Sequence, residues 1–197
     1  MSANGKTRLR LDYNAPAVLT FVLLCVAVQL VSLITGGESN RAVFSIHGSA
    51  FPMVLVRLFA HVLGHANWTH LLNNMMFILI LGPMIEEKYG TSNTVFVILA
   101  TALATGLAHL IFNPGVSLLG ASGVVFAFIL LASITGAQEH TIPLTFILVA
   151  LLWIGEQAYQ AFAVQNNVSE LTHIIGGAVG AGLGFVMKRD RMGRYGT

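Results

Sequence analysis

The feature that most constrains this chain is a series of six apolar segments, the last five of which are separated by short turns that are polar or contain glycine. The segments cover 15–35, 70–85, 94–112, 122–136, 142–162 and 171–187. A helix needs about 20 mostly apolar residues to cross the hydrocarbon core of a bilayer, whereas a membrane barrel is built from short alternating strands. The pattern therefore predicts an all-α membrane protein with six transmembrane helices, several of which are short.

The composition agrees with a membrane protein and excludes several classes of function. Hydrophobic residues make up 55% of the 197 residues and charged residues 9%, whereas a soluble domain carries about 25% charged residues. The formal net charge of +2 is too small to indicate a nucleic-acid partner. Cys25 is the single cysteine of the sequence, so an internal disulfide and a metal site built on several cysteines are excluded.

The basic residues predict the orientation of the helices. In a six-span arrangement, eight of the ten lysines and arginines fall on one side: Lys6, Arg8, Arg10, Lys88, Lys188, Arg189, Arg191 and Arg194. Cytoplasmic loops are enriched in these residues, so we expect both termini to be cytoplasmic. As a separate expectation, on which the charges do not bear, the membrane is the inner membrane of a bacterial cell. We divide the chain into a cytoplasmic tail (1–14), one membrane domain (15–187) and a basic cytoplasmic tail (188–197).

The segment 36–69 between the first two spans is too long for a simple connector. Its middle part, 51–63, is apolar but contains a proline, an arginine and a histidine, so it is too short and too polar to cross the bilayer. We predict a helix that lies in the membrane interface. Arg57, and the pair Glu86 and Glu87 after span two, are interpreted as groups that anchor loops.

Three predicted spans begin with polar residues on the same side of the membrane. Spans two, four and six all run from the outside inward, and they open with His70 and Asn74, with Ser122, and with His173. A polar residue inside a span is costly and often indicates function. We therefore predict a water-accessible polar chamber that opens to the outer side and is closed below by apolar helix.

Ser122 lies in the sequence Gly120-Ala121-Ser122-Gly123, directly before an apolar span. Small residues allow a tight turn, and the free N–H groups at the start of the following helix are suited to stabilising an oxyanion. The same pattern is common in membrane helices, where such a serine caps or packs a helix. A nucleophilic role therefore requires a base close to the hydroxyl.

His173 is the candidate base. It begins a helix that contains Gly176, Gly180 and Gly184, and small residues four apart let another helix approach closely. If that partner is span four, His173 comes within reach of Ser122; otherwise it is a packed, hydrogen-bonded residue. No aspartate lies in a predicted span, so the catalytic interpretation is a Ser–His dyad rather than a triad.

Further residues surround this candidate pair. Phe126 lies one helical turn after Ser122, where it either stacks on His173 or is ordinary core. His70 and Asn74 are four residues apart and share a helix face. Both can donate hydrogen bonds, as an oxyanion hole requires.

The histidines His61, His65 and His70 raise the alternative of a metal site. The sequence has no His-Glu-x-x-His motif, and the carboxylates nearest in sequence follow the opposite end of span two, so we expect no metal. Glu156 lies in the middle of span five, where it either lines a polar channel or is a structural carboxylate.

Together, these motifs resemble the rhomboid intramembrane serine proteases. The resemblance covers 56–187 and rests on three motifs: His65-x4-His70-x3-Asn74 entering span two, Gly120-Ala121-Ser122-Gly123 entering span four, and His173-x2-Gly176-x3-Gly180 in span six. Each motif is weak alone, but their order, spacing and positions are specific. Two positions depart from the family pattern: Val56 stands where tryptophan is frequent, and Phe126 where tyrosine is frequent.

The resemblance implies a six-helix rhomboid-like bundle that cleaves the transmembrane helices of membrane protein substrates near their outer ends, after a small residue and without a cofactor. It implies the Ser122–His173 dyad and an oxyanion hole from His70, Asn74 and the Ser122 N–H. Supporting positions are His65, Gly120, Gly123, Phe126, Gly176 and Gly180. The implied partners are transmembrane substrates and the lipid bilayer, and the oligomeric state is open.

Two other classes of function stay open from the sequence. A catalytically inactive relative would bind membrane clients, although such proteins typically lack the serine or the histidine. A small transporter would use Glu156 and the histidines as a proton relay, although no internal repeat pairs the two halves. The loop at 165–169 is a candidate lid over His173.

Overall fold

A computed structural model of the chain describes residues 12–47, 51–135, 141–163 and 170–195. For 156–158, 160–163, 170–171 and 188–195 it describes the backbone only. The candidate lid at 165–169 and the basic residues near the N-terminus therefore lie outside the described residues, as does the side chain of Glu156.

The described residues form α-helices joined by short connections. In chain order these are α1 (Pro16–Ile34), α2 (Met53–Ala60), α3 (Trp68–Tyr89), α4 (Thr91–Phe112), α5 (Ser122–Ile134), α6 (Leu144–Ala163) and α7 (Glu170–Tyr195), with a π-helical turn at Asn40–Phe44 between α1 and α2. No strand forms in these parts of the chain; Ile46 and Leu118 make one isolated antiparallel bridge. The predicted all-α fold class is confirmed, and α2 occupies the predicted interfacial segment.

The helices differ in their ability to span a bilayer. By length and composition, α1, α3 and α4 are long and apolar enough to cross a membrane, while Ser122–Ile134, Leu144–Gly155 and Thr172–Met187 are shorter apolar stretches. The 13 residues of α5 rise about 20 Å, against a hydrocarbon core about 30 Å thick. A helix forms within each of the six predicted apolar segments, and the number that crosses the full bilayer stays a prediction.

The first helix is held at its N-terminus by a carboxylate from a later part of the chain. Glu86, 4% exposed near the end of α3, accepts hydrogen bonds from the backbone N–H of Ala17 at 2.9 Å and of Val18 at 3.0 Å. It also accepts one from the Thr91 hydroxyl at 2.8 Å. The first N–H groups of a helix have no partner within the helix, so Glu86 joins the start of α1 to the turn between α3 and α4.

Arg57 anchors a different part of the fold. Its Nη2 donates to the carbonyl oxygen of Ala42 at 2.6 Å, which joins α2 to the π-helical turn. The two groups interpreted as loop anchors, Arg57 and Glu86, are thus each bonded to backbone in separate regions.

The centre of the bundle is α5, which packs against α3, α4, α6 and α7. Its residues Val124, Phe128 and Leu131 are fully buried. The outer helices instead carry many exposed large apolar side chains, such as Leu72 and Leu152. An apolar outer surface of this kind suits contact with lipid.

Candidate active site

The two helices that carry Ser122 and His173 meet backbone to backbone. A Cβ atom added at Gly176 would collide with the carbonyl oxygen of Gly123, and one added at Gly180 would collide with that of Ala127. Only glycine permits this approach, because any larger residue would push α7 away from α5. The partner of the glycine row is therefore span four, the pairing that brings the candidate base towards the candidate nucleophile.

Ser122 and His173 are in hydrogen-bond contact across this seam. The distance between Ser122 Oγ and His173 Nε2 is 2.9 Å. Ser122 is the first residue of α5 and His173 lies in the first turn of α7. In the neutral tautomer that carries its proton on Nδ1, the imidazole accepts the serine O–H, as a general base must.

Aromatic rings back the imidazole. The ring centroids of Phe126 and His173 are 4.8 Å apart with an angle of 42° between the planes, which is within the range of favourable aromatic contacts. The Phe126 ring in turn lies 5.4 Å from the ring of Trp153 on α6. Sequence reasoning missed Trp153, because one tryptophan in an apolar span has the same pattern whether it faces lipid or the site.

Hydrogen-bond donors lie on the α3 side of the site. Asn74 is 6% exposed, and its Nδ2 is buried without a hydrogen-bond partner among the described residues. The ring of His70 lies against Gly120, where an added Cβ would be 2.8 Å from Nε2. Gly120 also has φ +129°, a conformation that other residues rarely adopt. These placements bring His70 close to the turn that precedes Ser122.

The loop 113–121 leads from α4 to Ser122, and its irregular backbone needs partners. Since α5 is too short to reach both faces of the bilayer, the end of this loop is expected below the membrane surface. Irregular backbone at membrane depth is tolerated where its polar groups are bonded within the protein.

Four parts of the fold bond to this loop. His109 Nε2 donates to Val116 O at 2.8 Å. Ile46 and Leu118 exchange backbone hydrogen bonds at 2.9 and 3.0 Å, and Gly120 N–H donates to the carbonyl of His61 at 2.9 Å. Ala121 N–H donates to His65 Nε2 at 3.4 Å. The backbone before the nucleophile is therefore held from several sides.

His65 is held in one neutral tautomer. Its Nδ1 donates to Leu63 O at 3.2 Å, so its Nε2 is free to accept from Ala121 N–H. Burial, and to a smaller degree the neighbouring His70, lowers the pKa of His65 from 6.5 to about 4, although the bond to Leu63 O opposes this. At neutral pH His65 therefore acts as an uncharged support for the residue before Ser122.

His61 also supports the loop before Ser122, through the bond from Gly120 N–H to its carbonyl oxygen. It is 1% exposed, its Nδ1 donates to Arg57 O at 3.1 Å, and its Nε2 lies 3.3 Å from Thr105 Oγ1. Burial is the main cause that lowers the pKa of His61 to about 4. In the described residues no three His, Cys, Asp or Glu side chains are grouped closely enough to hold a metal ion.

The structure thus brings together Ser122, His173 and Phe126, places His65 and His70 around the turn at Gly120, and leaves a buried donor on Asn74. The supporting glycines Gly123, Gly176 and Gly180 lie in the seam.

The sequence of this chain is similar to those of known proteins. Residues 52–190 match the Rhomboid domain family. Two similar curated proteins are the rhomboid protease GlpG of Yersinia pseudotuberculosis serotype I, 29% identical over 178 residues, and that of Pectobacterium atrosepticum, 27% identical over 174 residues. Each alignment covers 86% of this chain and 62% of the relative.

The match extends from the proline before α2 into the basic end of α7, and includes every motif residue named above. It covers well over half of the chain. Helices α1, α3 and α4 are also long and apolar enough for an integral membrane protein. The chain belongs to the rhomboid family.

Proposed function

We propose that this protein is an intramembrane serine protease that uses Ser122 as nucleophile and His173 as general base. The observation that carries the proposal is the 2.9 Å contact between Ser122 Oγ and His173 Nε2 across a glycine-lined seam. The relatives called rhomboid protease support the same class of reaction. Because the chain spans 62% of their length, their activity is carried over here as a proposal.

In the proposed reaction, His173 Nε2 takes the proton of Ser122 while Oγ attacks the carbonyl carbon of the scissile peptide bond. The carbonyl oxygen becomes an oxyanion, which we assign to the Ser122 N–H, His70 and Asn74. The assignment of Asn74 is supported by its buried Nδ2, a donor without a partner among the described residues that lies on the same face of α3 as His70. His173 then protonates the leaving amine, and the acyl-enzyme remains on Ser122.

Hydrolysis completes the cycle. Neutral His173 removes a proton from water, which attacks the acyl carbon, and the returning proton restores the Ser122 hydroxyl. Water must therefore reach the start of α5, and the polar residues at the beginnings of α3, α5 and α7 support a chamber open to the outer side. No step requires a cofactor.

The proposed substrates are transmembrane helices of other membrane proteins, cut near their outer ends after a small residue. A helical amide is shielded from attack, so the substrate must unwind locally, and we place its entry between α3 and α6. The proposed topology has both termini in the cytoplasm, as the distribution of lysine and arginine favours, and the bacterial relatives named rhomboid protease GlpG support a bacterial membrane.

The test is cleavage of a single-span reporter by purified protein in liposomes. Ser122→Ala and His173→Ala are each expected to lower the rate by about 10⁴-fold or more, because both are needed to form the acyl-enzyme. Ser133→Ala is the matched control: it removes a hydroxyl from the same helix that, among the described residues, donates to Leu130 O. Its rate should equal that of the wild type.

A serine-reactive fluorophosphonate separates an inactive protein from an unsuitable reporter. The wild type and Ser133→Ala should be labelled, and Ser122→Ala should not. Cleavage retained by Ser122→Ala would refute the dyad. A wild type that binds the reporter but is neither labelled nor active would indicate a catalytically inactive binding protein instead.

A further inference from the structure

Trp153 stands apart from the other residues of its turn in α6. Leu151, Leu152 and Ile154 are between 50% and 75% exposed, as lipid-facing residues are, whereas Trp153 is 8% exposed. The indole therefore points into the bundle from a helix whose neighbouring side chains face outward. No step of the proposed reaction assigns a role to this side chain.

The indole lies over the helix that carries the candidate base. A Cβ atom added at Gly177 would collide with the six-membered ring of Trp153. Gly177 follows His173 by four residues, so the two share one face of α7. The absence of a side chain at Gly177 lets the indole lie flat against the backbone one turn below the imidazole.

The indole is also the last of three aromatic rings in successive contact, those of His173, Phe126 and Trp153. Trp153 and Phe126 have centroids 5.4 Å apart, and Phe126 and His173 have centroids 4.8 Å apart. The Phe126 ring is therefore in contact with both the imidazole and the indole. Without the indole, the space behind Phe126 would open, and both rings would gain freedom to rotate away from Ser122.

We propose that Trp153 is a positioning residue that holds the His173 imidazole against Ser122 by way of Phe126. The proposal rests on the protease function proposed above, and it assigns α6 a part in the alignment of the dyad as well as in substrate entry. Small errors in the placement of a catalytic group are costly: a shift of about 1 Å lowers rates by roughly 100-fold.

The ring, rather than the N–H group, is expected to carry this role. The indole Nε1 is buried and has no hydrogen-bond partner among the described residues, so it contributes no bond that phenylalanine would lose. Trp153→Phe should therefore preserve function, while Trp153→Leu keeps an apolar side chain without a ring. Leu152→Ala is the matched control, since it removes an exposed side chain from the adjacent position.

The experiment measures the rate of labelling of the purified full chain by a fluorophosphonate. This small probe reacts with the serine without passage of a substrate helix, so its rate reports the alignment of the dyad. We expect Trp153→Ala and Trp153→Leu to be labelled at about one tenth of the wild-type rate or below. Trp153→Phe should stay within about threefold of the wild type, and Leu152→Ala should not change.

The dependence of labelling on pH gives a second readout that a purely structural role would not move. In Trp153→Leu the pH of half-maximal labelling should differ from that of the wild type, because the surroundings of the imidazole change; in Leu152→Ala it should not. If Trp153→Ala fails to fold in a thermal unfolding assay, the comparison of Trp153→Leu with Trp153→Phe decides.

Two results separate this inference from the proposed function. A wild type that is not labelled overturns the protease proposal itself. A labelled wild type, with folded Trp153→Leu labelled equally fast, overturns only the role of Trp153. Unchanged labelling together with faster cleavage of the reporter would show that Trp153 closes the substrate path and does not align His173.

Discussion

The seam between α5 and α7 and the attachment of α6 are two different kinds of helix contact. In the seam, glycines bring backbone against backbone at Gly176 and Gly180. By contrast, α6 meets the bundle through side chains, with Trp153 against Gly177 and Phe146 edge-on to Phe185 at 5.6 Å. Backbone contacts leave no flexible group to adjust, whereas side-chain contacts can rearrange.

The difference assigns separate tasks to the two regions. The seam sets the distance between Ser122 and His173, because their helices cannot move closer or apart without breaking backbone contacts. In the roles proposed above, α6 orients the imidazole through its rings, and its attachment through side chains suits a helix past which the proposed substrate enters. A substitution in the seam should therefore affect folding and activity together, and one in α6 should affect them separately.

The largest loss of stability is expected for Gly180→Ala. The added Cβ collides with the carbonyl oxygen of Ala127, and backbone cannot yield as a side chain can, so α7 must move away from α5. We expect a loss of roughly 3 kcal/mol in the free energy of unfolding and a fall in cleavage of about tenfold or more. Unfolding in mixed micelles and the reporter assay measure the two effects.

The same helix offers a control for this change. At Gly182 nothing lies within 4 Å of an added Cβ, so Gly182→Ala should leave the free energy of unfolding unchanged or raise it by up to about 1 kcal/mol, since alanine favours a helix over glycine. Because alanine favours a helix over glycine, equal losses for the two alanine variants would show that the contact with Ala127 does not determine the result.

An intermediate effect on stability is expected from pH, through His65, which supports the loop that leads to Ser122 at the start of α5. The pKa of His65 is lowered from 6.5 to about 4 in the folded protein, so between these values the unfolded chain binds more protons. The contribution of His65 to the free energy of unfolding is therefore fully present above pH 6.5 and is lost as the pH falls towards 4. Protonation of Nε2 also removes the acceptor of Ala121 N–H.

The variant His65→Gln tests this account. Glutamine offers an acceptor oxygen without a site that titrates in this range, so the loss of unfolding free energy from pH 6.5 to 4 should be smaller by about 2 kcal/mol. Denaturant titrations at several pH values measure the slope. An unaltered slope would mean that His65 does not carry the acid sensitivity.

The smallest effect is expected in α6. An added Cβ at Gly155 has nothing within 4 Å, and alanine favours a helix over glycine. Gly155→Ala should therefore raise the free energy of unfolding by up to about 1 kcal/mol without changing the labelling rate. A loss comparable to that of Gly180→Ala would contradict the distinction between the two regions.

Much of the fold and part of the site were predictable from local patterns. The apolar segments gave the helices, because each one carries its own signal in 13 or more consecutive residues. The glycine row marked α7 as a close-packing helix, and Ser122 and His173 stood out because polar residues in spans are rare. The contact between Ser122 and His173 followed only if those helices were partners.

The rest depended on contacts that leave no trace in local sequence. Glu86 bonds to α1 nearly 70 positions earlier, and Arg57 bonds to a backbone carbonyl of the π-helical turn, an acceptor that every residue offers. The inward direction of Trp153 is a matter of how α6 is rotated, and the run of apolar residues around it does not fix that rotation.

The bond between Glu86 and the start of α1 also has a consequence for the order of synthesis. Ala17 and Val18 leave the ribosome long before Glu86 does, since 69 and 68 positions separate them. While α1 is the only helix made, its first N–H groups lack the acceptor that they have in the finished protein. The first helix is therefore secured only when α3 and the turn to α4 have been translated, so the N-terminal half should assemble as one unit.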